Sequence, residues 1–276
     1  MPIRVKQIMF TTPQVLTLLL IATLGHLMAL SWYLADKYRW KICDRAIYDL
    51  PIGAEQIKRE MKNSLHAPMH AVILAVFLSL GFFRNTSLGS FLYSVIATTI
   101  WAEIWHYASH RAFHLRALHW IHLEHHKSRL NSPFTAISFS FTEKLVFDLG
   151  LLAPLAAADV LFGMNAFGIA AWYIGYLVIN SFSHGNFELK SKDYNRRLGK
   201  VLTSTTYHSL HHSRYTGNYG LGTRVLDRLF KTEWDDYEKL YDRISAEGRP
   251  LGKLRERVAP TAGTWPCRPE AMKAGG

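Results

Sequence analysis

Cysteine is nearly absent from this 276-residue chain, with only Cys43 and Cys267 present. Two thiols cannot build a disulfide framework or fill a cysteine zinc site. No internal repeat or low-complexity tract stands out. Acidic residues are the minority, 21 against 32 Lys and Arg, for a net charge of +11. Such a basic balance suits nucleic acid or an anionic membrane surface. Charge of either sign is missing from residues 15–34, and that stretch is long enough to span a bilayer. The apolar runs therefore decide for the membrane, and the basic residues Arg111, Arg116, Lys127 and Arg129 read as a face over lipid headgroups.

The runs cover residues 15–34, 67–83, 88–105, 136–161 and 165–183. Beyond His184 no comparable run occurs. A cleaved signal peptide is the rival reading of the first run, but no clear small-x-small cleavage site follows it. The chain is therefore expected to be all-α, a polytopic helical membrane bundle of four to five spans under a cytosolic His-rich helical cap. Residues 1–105 would hold N-terminal spans and a cytosolic loop. Residues 106–232 would form the catalytic region, including the last two spans, and residues 233–276 a cytosolic tail. Charge supports that orientation. Lys37, Arg39, Lys41, Arg45, Lys58, Arg59 and Lys62 all fall in the loop that shares a side with the histidines, as the positive-inside rule requires.

Histidine is what the chain has in abundance, 14 in all. Seven lie between His106 and His126, and His208, His211 and His212 form a second cluster. Imidazole is the commonest transition-metal ligand, and helical residues three or four apart share a face. His110 with His114, then His122 with His125 and His126, then His208 with His211 and His212, make three such sets. A metal site is the leading reading. His-Glu-x-x-His is absent, so Glu124 does not mark a zinc protease. His66 and His70 precede an apolar run with no cluster nearby and are expected to be interfacial.

These residues resemble the fatty acid hydroxylase and sterol desaturase superfamily of membrane di-metal enzymes, over roughly residues 103–232. The matching motifs are His110-Arg111-Ala112-Phe113-His114, with Glu103 upstream, and His122-Leu123-Glu124-His125-His126. Asn131-Ser132-Pro133-Phe134, Glu143, the isolated His184, and His208-Ser209-Leu210-His211-His212 follow in family order. Asn218-Tyr219-Gly220 and Asp227-Arg228-Leu229-Phe230 complete the set. The order looks closest to the sterol desaturase branch, although Ser140-Phe141-Thr142 stands where relatives often carry His-Pro.

The resemblance implies a membrane-bound di-iron oxygenase. It would hydroxylate or desaturate an aliphatic C–H bond of a sterol-like or long-chain acyl lipid, using dioxygen. Its metal ligands would be His110, His114, His122, His125, His126, His184, His208, His211 and His212. His106 reads as a ligand or a satisfied core residue, His119 as a further candidate, and Glu188 as a tenth ligand or a hydrogen-bond acceptor. Glu103, Glu143, Asp148 and Asp227 are candidates to orient the imidazoles; their alternative is charge at helix ends. Zinc fits the ligands, and a purified sample can carry it, but only a redox metal such as iron runs this chemistry. No haem segment is fused to the chain, so a separate cytochrome b5-like or ferredoxin-like donor is expected, and no nucleic-acid partner. No dilysine or Lys-Asp-Glu-Leu ending marks endoplasmic reticulum retention, and the short loops and compact chain favour a bacterial inner membrane. Two rivals remain: a metal-ion transporter, which would line its spans with histidine, and a non-catalytic, metal-stabilised membrane protein.

Overall fold

A computed structural model describes residues 10–260. Cys267 and the rest of the expected tail beyond residue 260 lie outside the described residues. Ten α-helices follow in order: α1 (Thr12–Lys37), α2 (Ala54–Asn63), α3 (Met69–Ser79), α4 (Leu88–Phe113), α5 (His119–His126), α6 (Phe141–Phe162), α7 (Ala166–Ser183), α8 (Thr205–Arg214), α9 (Val225–Leu229) and α10 (Tyr237–Ser245). Among the described residues no strand forms, only isolated bridges.

The long helices begin where side chains satisfy their first amides. Thr11 and Gln14 form a capping box on α1, and Ser87, Ser140 and Asn165 cap α4, α6 and α7. Gly163, in the left-handed region at φ 66°, ends α6 and turns the chain directly into α7. Helices α1, α4, α6 and α7 are long and apolar enough to cross a membrane. Their outer sides carry Leu16, Leu27, Ile96, Val160 and other exposed apolar residues. An apolar surface of that extent suits lipid rather than water.

The second expected span is different. Residues 67–83 contain Pro68 and Gly81, and α3 keeps only 11 helical residues. That is about 16 Å of helix, short of the roughly 30 Å of a hydrocarbon core. Its C-terminal turn still reaches the far end of the bundle, where Phe83 accepts from Ala166 and Arg84 bridges Asn165. The chain therefore changes ends five times, by four long helices and by the stretch from the 3-10 turn at Ser64–His66 through α3 to Phe83, while α2 stays at the histidine end. This parity puts the C-termini of α1, α4 and α7 and the N-terminus of α6 at one end, here called the histidine end.

Inside the bundle, Ile21, Leu74, Leu78, Phe83, Leu151, Leu152, Ile169 and Tyr173 form the core. Glycines let helices touch there: a Cβ on Gly150 would sit 2.0 Å from the Trp105 ring, and one on Gly168 would sit 2.6 Å from the Phe91 carbonyl. At the histidine end, α8 is buried along its whole length. It is wrapped by Ile47, Tyr48, Tyr237, Leu240 and Tyr241. Arg214 pairs with Asp236 at 2.7 Å, both buried. Residues 233–260 are thus part of the cap. Helix α4 runs unbroken through residues 105 and 106, so the N-terminal and His-rich regions share one helix.

Lys58 and Lys192, both exposed, lie in segments joined to the histidine end. With Cys43 and Cys267 replaced by Ser, single cysteines at positions 58 and 192 should label from the same face of sealed vesicles. Labelling from opposite faces would contradict the five-crossing path.

Candidate metal centre

Nine histidines converge at the histidine end, each at most 4% exposed. They fall into two groups whose ring nitrogens lie within 4.8 Å of one another. The first is His110, His114, His122, His126 and His211, and the second is His125, His184, His208 and His212. Helical pitch explains the division. Four residues advance the helix by one turn plus about 40°, and three fall short by about 60°. The i,i+4 pairs 110/114, 122/126 and 208/212 therefore stay together, while His125 and His211 swing across to the other group. The groups adjoin, with ring centroids of His122 and His125 5.0 Å apart and those of His126 and His212 4.7 Å apart.

Six of the nine rings are held through Nδ1. His110, His125, His184, His211 and His212 donate Nδ1–H to the carbonyls of Tyr219, Ser138, Asn180, Gly217 and Ser128, at 2.7–3.0 Å. His122 donates to Glu143 Oε1 at 2.6 Å. A neutral imidazole has one N–H, so each of these rings turns a bare Nε2 lone pair inward, three in each group. His125 Nε2 and His184 Nε2 then face each other at 3.4 Å with no proton between them. The Nε2 atoms of His110, His114 and His122 are buried without any hydrogen-bond partner. Apart from His126 and His208, whose Nε2 can donate to His211 and to His184 or His212, these acceptors converge with no donor, and such a set suits a cation. Nitrogens bound about 2.0–2.1 Å from one metal stand about 3.0–3.4 Å apart, close to the 2.9–3.4 Å separations of the His184–His208, His211–His126, His212–His208 and His125–His184 pairs. The residues fit a pair of metal ions.

Electrostatics agree. Burial pushes the pKa of His114, His122, His126, His184, His208, His211 and His212 well below the ordinary value, and neighbouring imidazoles lower them further. His125 is pushed down to about 4, again by burial. Neutral imidazole is the ligating form, so the site is ready for metal at neutral pH.

The remaining candidates take other places. His106 packs edge-on against His110 but joins neither group. His119 hydrogen-bonds the Tyr215 hydroxyl at the edge of the first group and joins neither group. Glu188 is fully buried and accepts from the Thr206 amide and hydroxyl, each at 2.8 Å. It caps α8, the helix that carries three of the rings, and its spacing from His184 is not helical because α7 ends at Ser183. Glu143 orients His122 as expected. Asp227 acts one step back: it accepts from the Tyr219 and Gly220 amides, fixing the loop whose carbonyl holds His110. Glu103 instead bonds Thr223, and Asp148 bonds Lys144. His70 is not interfacial; it is buried, bonds the Ile21 carbonyl and stacks on Tyr173. Two parts of the site escaped sequence reasoning. The five carbonyl acceptors carry no side-chain signal. Buried Glu60 on α2, which accepts from Ser132 and Thr135, clamps the 128–138 loop that supplies two of those carbonyls.

Below the groups, on the bundle side, is a small chamber of about 40 Å³ walled by His110, His122, His125, His184, Phe139 and Lys144. A cleft of about 260 Å³ between α4 and α7 adjoins it, sharing His106, Phe147, Tyr176 and Leu221 as common wall. Exposed Thr99, Gly175 and Ile179 line the cleft's outer part.

The fatty acid hydroxylase family profile matches residues 95–232. The chain is 32% identical over 164 residues to a protein of Oryza sativa subsp. indica named very-long-chain aldehyde decarbonylase GL1-6, covering 56% of this chain and 25% of that protein. It is 32% identical over 146 residues to Protein CER1-like 1 of Arabidopsis thaliana, covering 51% and 23%. It is 28% identical over 150 residues to very-long-chain aldehyde decarbonylase CER1 of the same plant, covering 53% and 24%. The chain thus spans about a quarter of the length of these curated relatives. No solved structure matches.

Replacing His125 or His211 by Ala should lower the metal content measured by elemental analysis; full occupancy in both variants would refute their assignment. The metal-free protein should also weaken as pH falls. His125 titrates near 6.5 when unfolded but near 4 when folded. Between those values the unfolded chain takes up a proton that the native site refuses. The loss from His125 alone is about 3 kcal/mol once pH is below 4. Thermal unfolding of metal-free protein at pH 7, 5.5 and 4 checks it, and a melting temperature that rises on acidification would contradict the site's electrostatics.

Proposed function

Because the chain belongs to the fatty acid hydroxylase family, we propose that it is a membrane di-iron enzyme that oxidises a C–H bond of a long-chain lipid with dioxygen and external electrons. The observation that carries this reading is the pair of adjoining all-imidazole groups set over a chamber next to a cleft in the spanning bundle. A structural zinc site needs about four ligands; nine neutral imidazoles exceed that and suit two redox metals. Iron held there would supply dioxygen activation and hydrogen abstraction from an unactivated carbon.

The chain's own residues do the rest. Carbonyls and Glu143 fix the ring orientations. The apolar wall of Phe139, Phe147 and Tyr176 keeps water from the reacting carbon. The cleft between α4 and α7 admits a lipid sideways from the bilayer. The relatives named for very-long-chain aldehydes favour an acyl chain over a sterol. The histidine end faces the cytosol in this reading, where exposed Arg116, Lys127 and Arg129 beside the imidazole helices offer a basic face to an acidic electron donor. Such docking weakens with salt.

The test is iron-loaded protein with reductant, a ferredoxin or cytochrome b5 donor, host lipids and labelled dioxygen, followed by mass spectrometry. Hydroxylation places the label in lipid, and desaturation places it in water. If no acyl lipid or sterol is oxidised, the enzyme reading fails and a non-catalytic metalloprotein takes its place.

A further inference from the structure

Lys144 and Asp148 lie one turn apart on α6, with Lys144 Nζ 2.7 Å from both carboxylate oxygens. Their side chains are 6% and 0% exposed. Both belong to a helix long and apolar enough to span a membrane, where charge is costly and marks function by default. The pair is a poor stabilising device, because taking two ions out of water costs about as much as their attraction returns. Its position suggests another use. Lys144 lines the chamber beside Glu143 and the imidazoles of His110, His122 and His125.

An ammonium has three N–H donors. Asp148 takes two, and beyond the Phe139 ring face 5.9 Å from Nζ no acceptor stands at the third among the described residues. Glu143 adds a second, independent observation. Its Oε1 holds His122, whereas its Oε2 is buried with no hydrogen-bond partner. A chamber with aromatic walls thus offers one spare donor and one spare acceptor on consecutive residues. Buried polar groups of this kind are satisfied by something, and a polar oxygen at the end of a lipid matches both.

We propose that Lys144, steered by Asp148, binds the terminal oxygen of an oxygenated long-chain lipid, a primary alcohol or an aldehyde, and so selects which carbon lies under the imidazole groups. Either oxygen accepts the third N–H of Lys144. A hydroxyl also donates to Glu143 Oε2. The apolar tail then extends past Phe147 and Tyr176 into the cleft between α4 and α7. An alkane of equal length satisfies neither polar group. The inference rests on the chamber being the lipid site proposed above, but its test does not need turnover.

The experiment is equilibrium binding of tritiated 1-octadecanol to purified protein in detergent, competed by unlabelled 1-octadecanol or octadecane, with metal content measured on the same samples. A hydrogen bond to a charged group corresponds to roughly tenfold or more in affinity, so the alcohol should compete at least about tenfold better than the alkane. Lys144→Met should abolish that preference and leave metal content unchanged, and Lys144→Arg should restore part of it. Since Lys144→Met leaves Asp148 buried alone, the Lys144→Met/Asp148→Leu double variant removes both charges and decides the case. Loss of the preference in a folded double variant supports the assignment. A double variant that keeps the preference, or that no longer folds, overturns it and makes the pair structural. A preserved alcohol preference in protein that oxidises no lipid would sink the oxidation reading alone.

Discussion

An imidazole that donates from Nδ1 has only a lone pair left at Nε2, and everything at the histidine end follows from arranging six such rings. Their lone pairs converge with few donors in reach, an arrangement suited to a cation. The donors' partners also have to come from somewhere. Helix ends and loops leave carbonyls without partners in the backbone ladder, and this end is where helices stop. Ser128 follows α5, Ser138 precedes α6, Gly217 and Tyr219 follow α8, and Asn180 lies in the last turn of α7. The places where the helices terminate are therefore part of the metal chemistry. Shifting the end of α5 or α8 by one turn would move both a ring and the carbonyl that aims it.

Side chains that signal by type were legible in the sequence, and backbone groups were not. The i,i+4 histidine pairs could be read directly, because the period of an α-helix is fixed. Which group each ring joins could not, since the crossing of His125 and His211 depends on how α5 and α8 face each other. Glu188 shows the limit of spacing: four residues from His184 means a shared face only inside a helix, and the helix has ended. His70 shows another limit. Its neighbours in sequence are apolar, but its partner is the Ile21 carbonyl on α1, which sequence separation hides. The apolar pattern of residues 67–83 was legible as a membrane segment, while Pro68 and Gly81 cut the helix within it to 11 residues.

The same division explains the acidic residues. Glu143, Asp148 and Asp227 were all plausible partners for imidazole, yet only Glu143 touches a ring. Asp227 acts through the Tyr219 loop, and Glu188 acts through α8. A carboxylate that organises a loop or caps a helix can matter as much as one bonded to a ring, because a ring's aim is only as fixed as the backbone beneath it.

Polarity within α6 is one-sided in a way that connects these levels. Glu143 faces the rings above, Lys144 lines the chamber with Asp148 paired behind it, and Leu151, Leu152 and Leu155 return to apolar packing one to two turns further in. Such a gradient places the polar end of a bound molecule at the histidine end and its apolar end in the bundle. A lipid arriving from the bilayer would meet that order in reverse, tail region first along the α4–α7 cleft and polar wall last. Electrons would arrive from the opposite, basic side of the cap. Under the proposed reading the two would arrive by different sides, with the rings, no more than 4% exposed, between them.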